Sequence, residues 1–233
     1  MSWILLAVSE LRGGQMIRAW RKKRQRGFSL VEVLTVMVIV FIVAAFAVMG
    51  YAAVNRYLRI AGDLRDLNGI VAQAKLGAAA DFTHARAYAD LGANTFHLET
   101  WNKAGNCWQT VGDAANPCTV AASPVLSLSS GVRFGFGAVG APPPNTQPAG
   151  IGQAGACSTG TPGAPAGIGG AIANTACIVF NSRGRPIDDA GSPTGNRALY
   201  VTDGNMVYGL TVSATGLAQS WSTDANNIGW QPR

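Results

Sequence analysis

An α+β fold follows from three shifts of pattern along the chain. Val33 to Val54 is a run of twenty-two residues without a charge, and from Asn55 to about Ala80 apolar residues recur every three or four positions. Beyond Ala80 the period drops to two, and β-branched and aromatic residues enter. The prediction is one long N-terminal helix, apolar all round in its first half and amphipathic in its second, packed on a C-terminal antiparallel β-sheet body.

The helix opens on an anomaly. A basic cluster, Arg18, Arg21, Lys22, Lys23, Arg24 and Arg26, leads into Gly27-Phe28-Ser29-Leu30-Val31-Glu32 and then into the charge-free run. A run of that length crosses a hydrocarbon core of roughly 30 Å as a helix. An ionised carboxylate at its head costs on the order of 2.5 kcal/mol or more in lipid, so Glu32 needs a partner. A secretory signal peptide ending at Ala45-Phe46-Ala47 fits poorly with Glu32 and with so long a run. An uncleaved signal anchor and a helix buried in a soluble core are the remaining alternatives.

Charge marks the same boundary. The formal net charge is +6, and residues 1–27, with seven Lys/Arg and one Glu, account for all of it. The rest of the chain holds eleven charges of each sign, so no general basic surface speaks for nucleic acid. The cationic cluster fits the positive-inside rule, with the N-terminus cytoplasmic and the body carried across the membrane. Met16 offers a second start, giving a shorter segment ahead of Gly27.

In the second half of the helix, Leu58, Ala61, Leu64, Leu67, Val71, Ala74 and Ala78 form the predicted stripe, while Arg56, Arg59, Asp63, Asp66 and Lys75 fall largely off it. The predicted strands are 95–101, 125–128, 132–136, 177–181, 198–202, 206–213 and 217–222. Asp203-Gly204 favours a type I′ hairpin, since both residues tolerate positive φ. Asn181 to Pro186 reads as another turn. Residues 137–176, rich in Gly, Pro and Ala and including Pro142-Pro143-Pro144, read as a surface insertion within a body spanning 55–233.

Four cysteines, Cys107, Cys118, Cys157 and Cys177, all follow the apolar run and so fall in the oxidising compartment under this topology. Three connectivities are open. The expected one is sequential, Cys107 with Cys118 and Cys157 with Cys177, which closes two short loops. Zinc is disfavoured, because no Cys-x-x-Cys knuckle is present and the histidines are His84 and His97 alone.

Catalytic constellations are thin. The sequence lacks a Gly-x-Ser-x-Gly elbow, a P-loop and a His-Glu-x-x-His helix. His84 and His97 read as surface or half-buried polar residues, and Asp188, Asp189 and Asp203 as acidic turns rather than a calcium loop. The expectation is a protein that is not an enzyme and uses neither cofactor nor metal. Arg183, Arg185 and Arg197 are the residues that could meet phosphates.

At Gly27 to Glu32 the chain resembles the type IV prepilin and pseudopilin family, whose signature is a basic leader, a glycine, a phenylalanine, a small apolar patch and a glutamate. The resemblance implies that residues 1–27 are a leader removed by a prepilin peptidase, which cuts between Gly27 and Phe28. It further implies that Phe28 becomes a methylated N-terminus, that residues 28–54 anchor the chain in the inner membrane, and that Glu32 pairs with such an N-terminus during assembly with other pilin subunits. The body would then be periplasmic, or extracellular in a pilus. Many pilins carry a proline where the anchor ends; here Met49-Gly50 stands near that place, so no proline kink is expected. Ile178 to Pro186, a strand around Leu199 and Leu210 to Gly216 look like the closing region of the GspH/FimT branch, as does an alanine-rich helix end followed by a tryptophan such as Trp101 or Trp108. That branch contains pseudopilin H of type II secretion and FimT-type minor pilins, some of which are held to bind DNA through basic residues near this end. Relatives often place arginine after the final glycine, whereas Gly216 is followed by Leu217-Ala218-Gln219, which counts against a DNA role.

Overall fold

The computed structural model describes residues 28–111, 118, 125–137, 139, 151–163, 168–195, 197–224 and 229–233, with Met49 and Ala52 described by backbone alone. Helix α1 runs Leu30–Ala80. The strands are β1 Ala85–Asp90, β2 Thr95–Asn102, β3 Cys107–Thr110, β4 Leu126–Ser127, β5 Arg133–Phe134, β6 Thr175–Phe180, β7 Pro186–Ile187, β8 Arg197–Thr202, β9 Met206–Val212, β10 Ala218–Asp224 and β11 Gln231–Pro232. The α+β architecture predicted above is thus the one observed, with helix and sheets following one another along the chain.

Two units divide the chain after Val48. In the first, the helical segment from Leu30 to Val48 exposes every side chain. Ser29 occupies the N-cap position, its carbonyl accepting the first helical bond from the Val33 amide at 3.2 Å. Glu32 lies in the first turn, where a negative charge complements the helix dipole.

The second unit holds both sheets. In one, the strands run β3-β2-β1-β6-β7, with β4 also pairing to β2; in the other, the order is β11-β10-β9-β8-β5. All the pairings are antiparallel. Ile60, Leu64, Leu67, Val71, Ala74 and Ala78 of α1 are buried against both sheets, among Ala87, Ala89, Phe96 and Ile178 from one and Leu199, Leu210 and Val212 from the other.

The stripe departs from its prediction at two positions. Leu58 is 59% exposed and Ile60 takes its place in the core. Asp63, placed off the stripe by charge, is 5% exposed because it serves as a clamp: its oxygens accept from the Ser129 amide, at 3.1 Å, and from the Ser129 hydroxyl, at 2.8 Å. Burial pushes the Asp63 carboxyl up, against the pull of these bonds.

Beyond the helix, the 203–204 hairpin forms between β8 and β9 but is not type I′. Gly204 alone has positive φ, at 91°, while Asp203 caps the turn by accepting from the amides of Asn205 and Met206. Strands β1, β3, β7 and β11 lay outside the predicted set. The Gly/Pro-rich insertion is described only in part; residues 151–163 and 168–172 carry the single bridge Ser158 to Ala171, and Pro142-Pro143-Pro144 lies outside the described residues.

Lys75 ties the helix to two turns, donating to the Gly216 carbonyl at 3.0 Å beside Gly184. Gly216 sits at φ 76°, and a methyl there would meet the Gly184 carbonyl at 2.7 Å and Lys75 at 3.3 Å. Gly216→Ala is therefore expected to destabilise the protein by about 1–3 kcal/mol, read as a lowered urea midpoint. An unchanged midpoint would show that this contact is loose.

Candidate functional site

The first site candidate is the head of α1. Phe28 is 80% exposed, and a groove beside it is lined by Glu32, Val33, Val36 and Met37. The Thr35 hydroxyl turns back to the carbonyls of Val31 and Glu32, so the polar side chain of this turn is satisfied within the helix. Glu32 therefore stands among apolar side chains that are exposed among the described residues. Gly27 lies outside the described residues. The helix is long and apolar enough to span a bilayer, with a mean hydropathy of 2.9 over its most apolar window.

A second cluster was not read from the sequence. Arg86 on β1 pairs with Glu99 on β2, and both are about 1% exposed. Arg86 Nη1 also donates to the Ser158 carbonyl at 2.6 Å, and its guanidinium lies 4.1 Å from the centre of the Trp108 ring. His97, two residues before Glu99 and so on the same strand face, places Nε2 3.2 Å from Glu99 Oε1 and stacks on Tyr88 at 4.6 Å. His97 is 4% exposed, not the surface or half-buried residue expected. His84 is half-buried, and burial followed by Lys103 pushes its imidazole down.

Burial would raise the Glu99 carboxyl, but the His97 hydrogen bond and the Arg86 charge outweigh it and hold the group below its ordinary value. Burial pushes Arg86 down, and Glu99 opposes that shift. With Trp101, Trp108 and the Cys157–Cys177 bond, this cluster seals the outer face of the first sheet under residues 151–163 and 168–172. No substrate-sized opening reaches it among the described cavities, and its arrangement is that of a fastener.

The structure joins Cys107 to Cys118 and Cys157 to Cys177. Arg183 and Arg185 share the exposed turn between β6 and β7, where the Asn181 side chain accepts from both their amides. Arg197 lies on β8 of the other sheet and donates to Asp189 at 3.2 Å. The three arginines are thus not gathered into one surface by a shared element. Asp188 caps its own turn through Ala190 and Ser192, and no group of three or more His, Cys, Asp or Glu side chains capable of holding a metal occurs among the described residues.

Two outcomes follow from the buried cluster. A carboxylate whose folded pKa is depressed contributes fully above its unfolded value and loses that contribution as pH falls through the folded value. Stability should thus decline on acidification below the ordinary glutamate value of 4.5. Glu99→Gln should flatten that decline and, by leaving Arg86 without its counter-ion, lower stability at pH 7 by about 3–5 kcal/mol, as measured by urea titration at both pH values. Replacing Cys157 and Cys177 by serine should cost about 3 kcal/mol, through the loop that the bond closes. A midpoint equal to wild type would contradict the fastening role.

Among known proteins, residues 22–48 match the sequence profile of the prokaryotic N-terminal methylation motif. No curated protein and no solved structure matches the chain. The matched segment is the basic approach, the Gly-Phe junction and the exposed half of α1, so motif and geometry meet on the same residues. The motif speaks for a structural role rather than a catalytic one. The chain is type IV pilin-like: it carries a prokaryotic N-terminal methylation motif at the head of a long apolar helix, followed by a disulfide-bonded β-sheet body.

Proposed function

We propose that the protein is a minor pilin or pseudopilin of the GspH/FimT type, built into a type IV pilus or a type II secretion pseudopilus through its N-terminal helix. A prepilin peptidase cleaves between Gly27 and Phe28, Phe28 is N-methylated, and residues 28–54 hold the subunit in the inner membrane with the 55–233 body in the periplasm. The observation that carries this reading is the bare helix: from Leu30 to Val48 every side chain is exposed, and a carboxylate stands at its head. Such a surface is stable in lipid or against other helices, and moving between the two is what assembly requires.

In this reading Glu32 meets the cationic amine of Phe28 on a neighbouring subunit and sets its register. The pair supplies the partner that lipid cannot. DNA uptake is the alternative role, through Arg183, Arg185 and Arg197. The engagement of Arg197 by Asp189, and the separation of the three over two sheets, favour the structural reading.

Glu32→Ala is expected to leave the protein made and membrane-inserted but reduce its incorporation about tenfold or more, the loss of one buried charge pair. Co-purification of the variant with its partner pilins at wild-type yield would overturn the pairing.

A further inference from the structure

The second unit opens, close behind the apolar run, on a cleft of about 350 Å³ whose lining combines Val132 and Gly131 with the polar Arg56, Arg59, Ser130, Asp203 and Asn205. We propose that this cleft binds the head of a membrane phospholipid carrying both a phosphate and an ammonium, with phosphate on Arg56 and Arg59 and ammonium on Asp203. The proposal rests on the reading of residues 28–54 as a membrane anchor.

Four observations support it. The volume lies within the usual range for small-molecule sites, and the two walls present charges of opposite sign. Arg59 spends one of its five N–H donors on the Ser130 carbonyl, at 3.1 Å, which ties its arm to the cleft wall and leaves four for other acceptors. Among the described residues, neither Arg56 nor Arg59 forms an ion pair. The nearest acid along the helix, Asp63, is turned into Ser129 and is not part of the lining.

Position supplies the rest. Arg56 follows the end of the charge-free run at Val54 by two residues, so the two Cα atoms are at most about 7 Å apart in any conformation. Tyr51 and Tyr57 flank it, 73% and 43% exposed. Exposed tyrosines beside arginines at the end of an apolar run are the composition of a bilayer interface, where lipid phosphates lie. One oxygen of the Asp203 side chain caps the turn, and a carboxylate on the opposite wall suits an ammonium. A head with phosphate and ethanolamine satisfies both walls; phosphatidylglycerol satisfies one.

The test is native mass spectrometry of the full chain in detergent micelles, titrated with phosphatidylethanolamine, phosphatidylglycerol or phosphatidylcholine, and with soluble glycerophosphoethanolamine as competitor. The wild type should retain one phosphatidylethanolamine molecule in preference to the other two lipids. Arg56→Ala, at an exposed position, should weaken retention about fivefold, and Arg56→Ala with Arg59→Ala about thirtyfold. Arg59→Lys should keep most of the binding. Asp203→Asn retains an oxygen to cap the turn, and should erase the preference over phosphatidylglycerol.

Equal lipid retention by the double alanine variant would overturn the proposal. So would complete displacement by the competitor at concentrations equal to the lipid, which would identify a soluble phosphate compound as ligand. Carbonate extraction of membranes separates the two readings. A chain that resists extraction but shows no arginine-dependent lipid binding loses the headgroup site and keeps its anchor; a chain that is extracted loses both.

Discussion

Everything in this protein depends on the clasp between α1 and the two sheets. Ile60, Leu64, Leu67 and Val71, each contributing about 1.5–3 kcal/mol by burial, bind the amphipathic half of the helix into the core. Ala74 and Ala78 are buried in the same core as Ala87 of β1 and Ile178 of β6. Because that half is held from both sides, the body has a fixed helical stem onto which an apolar segment can be grafted without a partner of its own. The same helix thus presents two surfaces: one buried in a protein core from Ile60 onward, and one apolar and exposed up to Val48.

The first sheet repeats this division across its thickness. On β1 and β2, Ala85, Ala87, Ala89, Phe96 and Leu98 face the helix, and Arg86, Tyr88, His97, Glu99 and Trp101 alternate with them toward the other side. An outer face of that composition would ordinarily meet water. Here residues 157–160 lie on it, anchored by Cys157–Cys177, by the Ser158 carbonyl on Arg86 and by the Gly160 carbonyl on Trp108. The charged pair is stable there because each member finds its bonds on strand neighbours already in register.

Much of this was legible beforehand, for physical reasons that differ by element. The helix announced itself through fifty residues of period and hydropathy, and its observed bounds, Leu30–Ala80, fall within two residues of those expected. Strands β2, β6, β8, β9 and β10 followed from β-branched and aromatic alternation. Strand β1 was hidden because Ala85-Arg86-Ala87-Tyr88-Ala89-Asp90 continues an alanine-rich helix and has little β propensity of its own; its pairing with β2 and β6 decides it. The Arg86–Glu99–His97 cluster was hidden for the same reason, since it exists only through the register of β1 on β2. Asp63 was misread by charge alone, because a carboxylate that caps a distant loop can lie on a buried helix face.

The reading proposed for the head of the helix rests on local chemistry: Gly27, Phe28 and Glu32 sit within six residues, beside the apolar run and independent of tertiary contacts. The central claim is that the chain changes identity at that junction, losing a basic leader and gaining a charged amine at the head of a lipid-facing helix. Intact-mass and N-terminal peptide mass spectrometry of the protein isolated from its native membrane addresses this directly. The account predicts a chain beginning with N-methylated phenylalanine at Phe28. A chain that retains the basic cluster, or that begins after Ala47, would contradict it.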